Sequence, residues 1–304
     1  MHPKHQAAIE AFGEFWMARV KRIAEGTKPT GLQFHYTRSI PAVENIIRTN
    51  TIWFGDIRQM NDKVELRYGL GLYQDEALQL ATTRVSVSER FLRYISEPTK
   101  LDGVFEEIRF FSASFGRPNS EHMWKCYADG GKGFALGFRA EHFDPTQNSN
   151  DLPIDRRYFT GTVRYDEPTI RSLHRESIEH ALDLILRTSS DPRFQENPKF
   201  MRQLATEVHL DAVVTSITSK PHKWAKEEER RLYYPVGKDR AHVHKVHDCN
   251  GRSYLHMKVE QADLVEVVAG ANTTNHVRSR IQKALDESER SHIRIKLQKS
   301  PGRR

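Results

Sequence analysis

Strands and helices that mix without regular alternation predict an α+β fold. Three observations carry that reading. Short apolar runs of strand length recur from Gln33 onward, including "LQFHYT", "TIWFG", "IRFFSASFG" and "LVEVVAG". Helical periodicity occupies the N-terminus and a long stretch from about 169 to 218. Two late apolar runs flank Asn250–Gly251, a pair favoured in tight hairpin turns. A doubly wound sheet would need regular strand–helix–strand units, which this order does not supply.

The first element is an amphipathic helix, because Ile9, Phe12, Trp16, Val20 and Ile23 recur at three- and four-residue steps. "GTKPTG" breaks it, closing a segment of about 1–30. "LQFHYT" is a short strand, and "IPAVENIIRTN" a helix with Pro41 in its first turn, where the missing N–H costs nothing. "TIWFG" follows as a strand, then "QMNDKVELRYGLGLYQDEALQLATTRV" as a helix. The strands "IRFFSASFG" and "GKGFALGF" enclose a helical "SEHMWKCYAD", and "YFTGTVRYD" is a further strand. The helical stretch at about 169–218, interrupted by "SSDPRFQENP", reads as an insertion into one domain spanning 31–304. "EERRLYYPVG", "AHVHKVHD", "RSYLHMKV" and "LVEVVAG" are strands, followed by a helix around "TNHVRSRIQKALDESER" and a last strand "HIRIKL".

Composition narrows the class of protein. The 304 residues are 38% hydrophobic and 29% charged, enough apolar material for a sizeable core. No apolar run approaches the ~18 residues that span a bilayer. The first residues lack a basic region followed by an apolar one, so no secretion signal is expected. Two cysteines, Cys126 and Cys249, exclude a disulfide framework and fit a reducing, cytoplasmic setting. Net charge is +7, and from Val277 to Arg304 nine Lys or Arg stand against three Asp or Glu. Such a basic end, including Arg278, Arg280, Arg294, Lys296 and Lys299, suits phosphates and makes nucleic acid a partner to expect. A solvated tail that aids solubility is the competing reading.

Four clusters could carry chemistry. His35-Tyr36-Thr37 packs an imidazole, a phenol and a hydroxyl where a strand hands over to a helix. Trp53 and Phe54 lie on the next strand, with Asn61, Asp62 and Glu65 just beyond. Ser114 precedes Trp124 and Tyr127, which are three apart on one helical face. Glu227, Glu229 and Arg231 alternate as they enter a strand and are expected on one face of it. Each has a plainer alternative: a satisfied strand edge, core aromatics at helical spacing, or a solvated charge run. His242, His244, His247 and Cys249 are dense but lack the paired spacing of a zinc site, so no metal is expected. "GGKG" at 130–133 lacks the Ser or Thr of a phosphate loop and reads as a turn.

In this order the clusters resemble a bacterial family of unknown function, DUF2971. The matching residues are His35-Tyr36-Thr37, Trp53, Asn61-Asp62, Glu65, Ser114, the W-x-x-Y-A of Trp124, Tyr127 and Ala128, and the W-x-x-E-x-E-x-R of Trp224, Glu227, Glu229 and Arg231. More distantly, the pattern is similar to the ADP-ribosyltransferases. That likeness implies a mixed, mostly antiparallel split sheet and NAD as substrate. It further implies His35 and Thr37 on the first strand, Trp53 or Phe54 stacked on nicotinamide, and a late catalytic Glu229 with Glu227 beside it. Tyr36, Asn61, Ser114, Trp124, Tyr127 and Arg231 would complete the binding surface. The implied activity is mono-ADP-ribosyl transfer to a nucleic acid or protein, as in a toxin or phage-defence effector with a cognate antitoxin. Two alternatives stand beside it: a metal-dependent nuclease using Asn61, Asp62, Glu65 and Glu227, and a defence module that binds nucleic acid or ligand without turnover.

Overall fold

The computed structural model describes residues 1–26, 31–59, 63–83, 87–139, 158–189, 197–238, 246–249, 251–260 and 263–298. Asn61, Asp62, His242, His244, Asn250 and Lys299 lie outside the described residues. In chain order the first elements are α1 (Pro3–Gly26), β1 (Gln33–Thr37), α2 (Ile40–Thr49), β2 (Thr51–Asp56), α3 (Lys63–Thr83), α4 (Val87–Ser96), α5 (Pro98–Glu107), β3 (Ile108–Phe115), α6 (Glu121–Tyr127) and β4 (Phe134–Phe138). Then come β5 (Phe159–Thr162), α7 (Glu167–Ser189), α8 (Pro198–Ile217), β6 (Arg230–Gly237), β7 (Val246–Cys249), β8 (Arg252–Lys258), β9 (Leu264–Ala269), α9 (Asn275–Glu287) and β10 (Ile295–Leu297). The fold is α+β, and the chain divides into a sheet unit (24–56, 110–162 and 226–304) and a helical unit (1–23, 57–109 and 163–225).

The sheet unit holds two sheets, one ordered β1-β4-β9-β10 and the other β5-β6-β3-β2-β8-β7. In the first, β1–β4 and β4–β9 are antiparallel and only β9–β10 is parallel. Two 2.9 Å bonds between Phe34 and Gly116 join β1 to the residue after β3. Strand alternation sends Ile52 and Phe54, Phe111, Ala113 and Phe115, and Leu232 and Val236 into one core with Leu136 and Val267. Helix α2 adds Val43, Ile46 and Ile47, and α9 adds Ile281, Ala284 and Leu285. Ser39 caps α2 by accepting from the Ala42 N–H, and Asn50 ends it in the left-handed region at φ 56°. The opposite face of β1 packs Phe34 and Tyr36 against Met123 and Trp124 of α6. Gly133 is required by close approach: a Cβ there would lie 2.3 Å from the Thr37 carbonyl oxygen.

In the helical unit, α1 contributes Ala8 and Phe12 to a core shared with Tyr73 and Ala77 of α3, Phe91 and Ile95 of α4, Ile178 and Ile185 of α7, and Leu204 and Val208 of α8. The helices read from sequence as an insertion therefore share this core with α1. A buried ion pair joins Arg19 of α1 to Asp211 of α8, and Arg19 also donates to the Leu173 carbonyl at 2.6 Å. Burial pushes the Asp211 carboxyl up, against the pull of Arg19. Helices α4 and α5 form over 87–107, a stretch to which no element is assigned from the apolar pattern. Among the described residues no helix is long and apolar enough to cross a membrane.

Candidate functional site

The opening triplet separates as strand alternation requires. His35 lies on the face of β1 shared with Thr37, opposite Leu136 of β4, with its ring 5.5 Å from Phe115. Its Nδ1 is 3.0 Å from the Ser114 carbonyl oxygen, which can only accept, so Nδ1 carries the hydrogen. Burial pushes the imidazole's pKa down, with the Ser114 bond opposing. A neutral ring with its hydrogen on Nδ1 leaves Nε2 as an acceptor. Thr37 Oγ1 accepts from the Ser39 N–H at 3.1 Å. Tyr36, on the other face, meets Trp124 edge-on at 5.3 Å and donates to the Arg117 carbonyl at 2.6 Å. Burial pushes its phenol up to about 12. The Trp124 indole N–H is buried beside it and has no hydrogen-bond partner among the described residues.

The strongest constellation forms on the outer side of α6. Ser120 caps this helix by accepting from the Met123 N–H, and Met123 and Trp124 turn inward onto β1. Tyr127, 37% exposed, donates to Glu227 Oε1 at 2.8 Å. His122 Nε2 lies 3.6 Å from the same oxygen and 3.6 Å from Cys126 Sγ. Glu227 itself is only 1% exposed. A carboxylate thus stands behind a phenol and an imidazole that reach outward.

The E-x-E-x-R run does not form one strand face. Glu227 ends a 3-10 turn (His222–Glu227), which also holds the half-buried Trp224, and β6 begins only at Arg230. Between the two glutamates Glu228 takes φ 44°, a left-handed conformation that costs a non-glycine residue about 1–3 kcal/mol. Its side chain reaches Arg117 at 2.7 Å. Glu229 is instead clamped by Arg231, with Nε–Oε1 at 2.8 Å and Nη2–Oε2 at 3.1 Å, and both side chains are buried. The two glutamates therefore occupy different settings.

The aromatic pair on β2 splits too. Phe54 is buried in the core, so Trp53, 38% exposed, is the ring available to a ligand. Trp53 stacks at 4.9 Å on His256, which stacks at 4.0 Å on His247. The structure thus brings Tyr36 to Trp124, Tyr127 to Glu227 and Glu229 to Arg231, while Trp53 joins a separate ladder of rings. His122, Cys126, Arg117 and Glu228 escape the motif reading. The i, i+4 spacing of His122 and Cys126 around the Trp124–Tyr127 motif is the signal that could have found the first two.

The basic end is largely tied into the fold. Arg280 holds Glu44 with two 2.6 Å bonds, Lys296 reaches Glu266 at 2.8 Å, and Arg290 is buried against the Ile47 carbonyl and Asn50. Among the described residues no group of three or more His, Cys, Asp or Glu could hold a metal ion.

No curated protein and no solved structure matches this chain. The segment that carries Trp124, Tyr127, Glu227, Glu229 and Arg231, residues 123–232, matches the family model described as Protein of unknown function (DUF2971).

Proposed function

We propose that the Glu227 centre serves an NAD-consuming transferase of the mono-ADP-ribosyl type acting on a macromolecule, with a nucleic acid or a protein as acceptor. The observation that carries this reading is the buried Glu227 carboxylate held by Tyr127 and flanked by His122. Cleaving the nicotinamide–ribose bond leaves its electron pair on nicotinamide and positive charge on the sugar, as in glycoside cleavage. A fixed carboxylate with two polar groups in front of it suits that transition state. Tyr127 and His122 would meet ribose hydroxyls, and His122 would take the proton that the acceptor nucleophile loses on attack. Trp53 and Thr37 are offered as further NAD contacts by resemblance alone. As an effector of this type the protein would be restrained by a cognate antitoxin.

The test is nicotinamide release from NAD by the wild-type chain and by Glu227→Gln, beside calorimetry of NAD binding. Release that falls at least about 100-fold while binding persists supports the reading. Equal release by both proteins would exclude Glu227. Glu229→Gln is a poor probe, because it breaks a buried ion pair and should cost about 3–5 kcal/mol of stability. The same clamp favours a second reading, a module that binds ligand without turnover, since Arg231 already compensates Glu229. NAD heat with no nicotinamide released would select it.

A further inference from the structure

The helical unit contains a cavity of about 460 Å³ that the Glu227 centre does not use. Its wall is chemically mixed. Phe91 of α4 is buried, and Tyr94 and Met201 are half-buried at the lining. Three cations share it: Arg90 from α4, Lys100 from α5 and Arg202 from α8. Lys100 Nζ stands 5.1 Å from the Tyr94 ring centroid, a cation–π distance, and 3.7 Å from the exposed Glu97 carboxylate. Arg202 Nε donates to the Pro198 carbonyl at 3.2 Å, which fixes its stem along the wall. No acidic residue is among the described lining residues.

Neither water nor a neutral apolar molecule satisfies such a wall. Water leaves the aromatic and thioether surface unfavourably wet, while a neutral apolar guest covers that surface but makes no use of the cationic rim of Arg90, Lys100 and Arg202. The volume lies in the range of small-molecule pockets, about 300–1,000 Å³. We propose that this cavity binds a small amphipathic anion, with its apolar body on Phe91, Tyr94 and Met201 and its carboxylate or phosphate among Arg90, Lys100 and Arg202. Methionine in the wall adapts to either a ring or a chain. This site is independent of the NAD reading.

Calorimetry on the full chain tests it with four probes: octanoate, phenyl phosphate, octyltrimethylammonium and inorganic phosphate. At least one amphipathic anion should bind, the cation should give no heat, and phosphate alone should bind about tenfold more weakly or not at all. Octanoate against phenyl phosphate separates a carboxylate on a chain from a phosphate on a ring. Met201→Trp, which fills the cavity, should abolish binding. Arg202→Ala, on an exposed side chain, should weaken it roughly fivefold, the value of one partly exposed charge pair. It keeps the test open should the tryptophan disturb the fold. Binding of the cation as tight as that of octanoate, no heat from either amphipathic anion, or unchanged affinity in Arg202→Ala would overturn the proposal.

Discussion

Acid should weaken the helical unit through one residue above all. His174 on α7 is 1% exposed, its ring 5.6 Å from Tyr73, and its Nε2 has no hydrogen-bond partner among the described residues. Burial pushes its pKa down from 6.5 to about 3, and Arg19 and Arg171 add to that while a backbone bond to Gly69 opposes it. The unfolded chain takes the proton near pH 6.5, whereas the folded chain resists until about 3. Between those values the unfolded state binds more protons, so stability present above pH 6.5 is lost progressively as pH falls. At pH 5.0 the gap is about 1.5 units, and at 1.36 kcal/mol per unit the loss is about 2 kcal/mol. Other buried groups titrate as well. His209 and His35 are also pushed down and act in the same direction, while Asp211, pushed up, acts in the opposite one. The clean quantity is therefore the difference between wild type and His174→Gln. Urea unfolding of both proteins, followed by far-UV circular dichroism at pH 7.5 and 5.0 and constant ionic strength, supplies it. Wild type should lose about 2 kcal/mol more than the variant across that interval. A difference that stays flat within about 0.5 kcal/mol would show that His174 protonates in the folded state without penalty, and would refute the reasoning.

Three other perturbations probe the sheet unit. Gly133→Ala sets a methyl 2.3 Å from the Thr37 carbonyl oxygen and should cost about 1–3 kcal/mol in urea unfolding; a loss within error would mean that β1 and β4 shift freely. Tyr36→Phe removes the hydroxyl bonded to the Arg117 carbonyl and should cost about 1 kcal/mol; a neutral result would place water on that carbonyl instead. Affinity for a single-stranded oligonucleotide should fall with salt at a log–log slope of about −4, since Arg280, Arg290 and Lys296 already have partners in the fold and six of the nine cations are left. A slope near about −6, as nine free cations would give, would show that those pairs open on binding.

Much of the fold was legible because its signals are local. The apolar spacing in α1, Pro41 in the first turn of α2 and the short apolar run of β2 are read within a few residues, and each element formed where the pattern lay. Helices α4 and α5 were not read. Their apolar residues Phe91, Leu92, Ile95, Leu101 and Val104 are buried, but each helix is ten residues long and gives a short periodic signal. Long-range placement was less accessible still. Sequence distinguishes Trp53 from Phe54 only by alternation, and which of them meets the core depends on register with β3 and β8. The basic end reads as a phosphate-seeking surface because the carboxylates that meet it, Glu44 and Glu266, are remote in sequence from Arg280 or set on a neighbouring strand from Lys296.

The run from Glu227 to Arg231 shows what folding adds to a motif. In the sequence Glu227 and Glu229 are equivalent, two residues apart and each set between Glu228 and a basic residue. Continuous strand geometry would aim both in one direction. The left-handed Glu228 prevents this, because it ends the 3-10 turn at Glu227 and starts the extended chain afresh at Glu229. Glu229, the residue before β6, then meets Arg231 two positions on, and its charge is balanced locally. Glu227 is directed to α6, where it meets a phenol and an imidazole. A buried carboxylate met by a phenol and an imidazole at the surface suits the proposed stabilisation of a cationic sugar better than one held in a two-bond guanidinium clamp. The strained residue between them supports assigning chemistry to Glu227 and structure to Glu229, since left-handed backbone at a non-glycine residue persists only where the surroundings over-determine it.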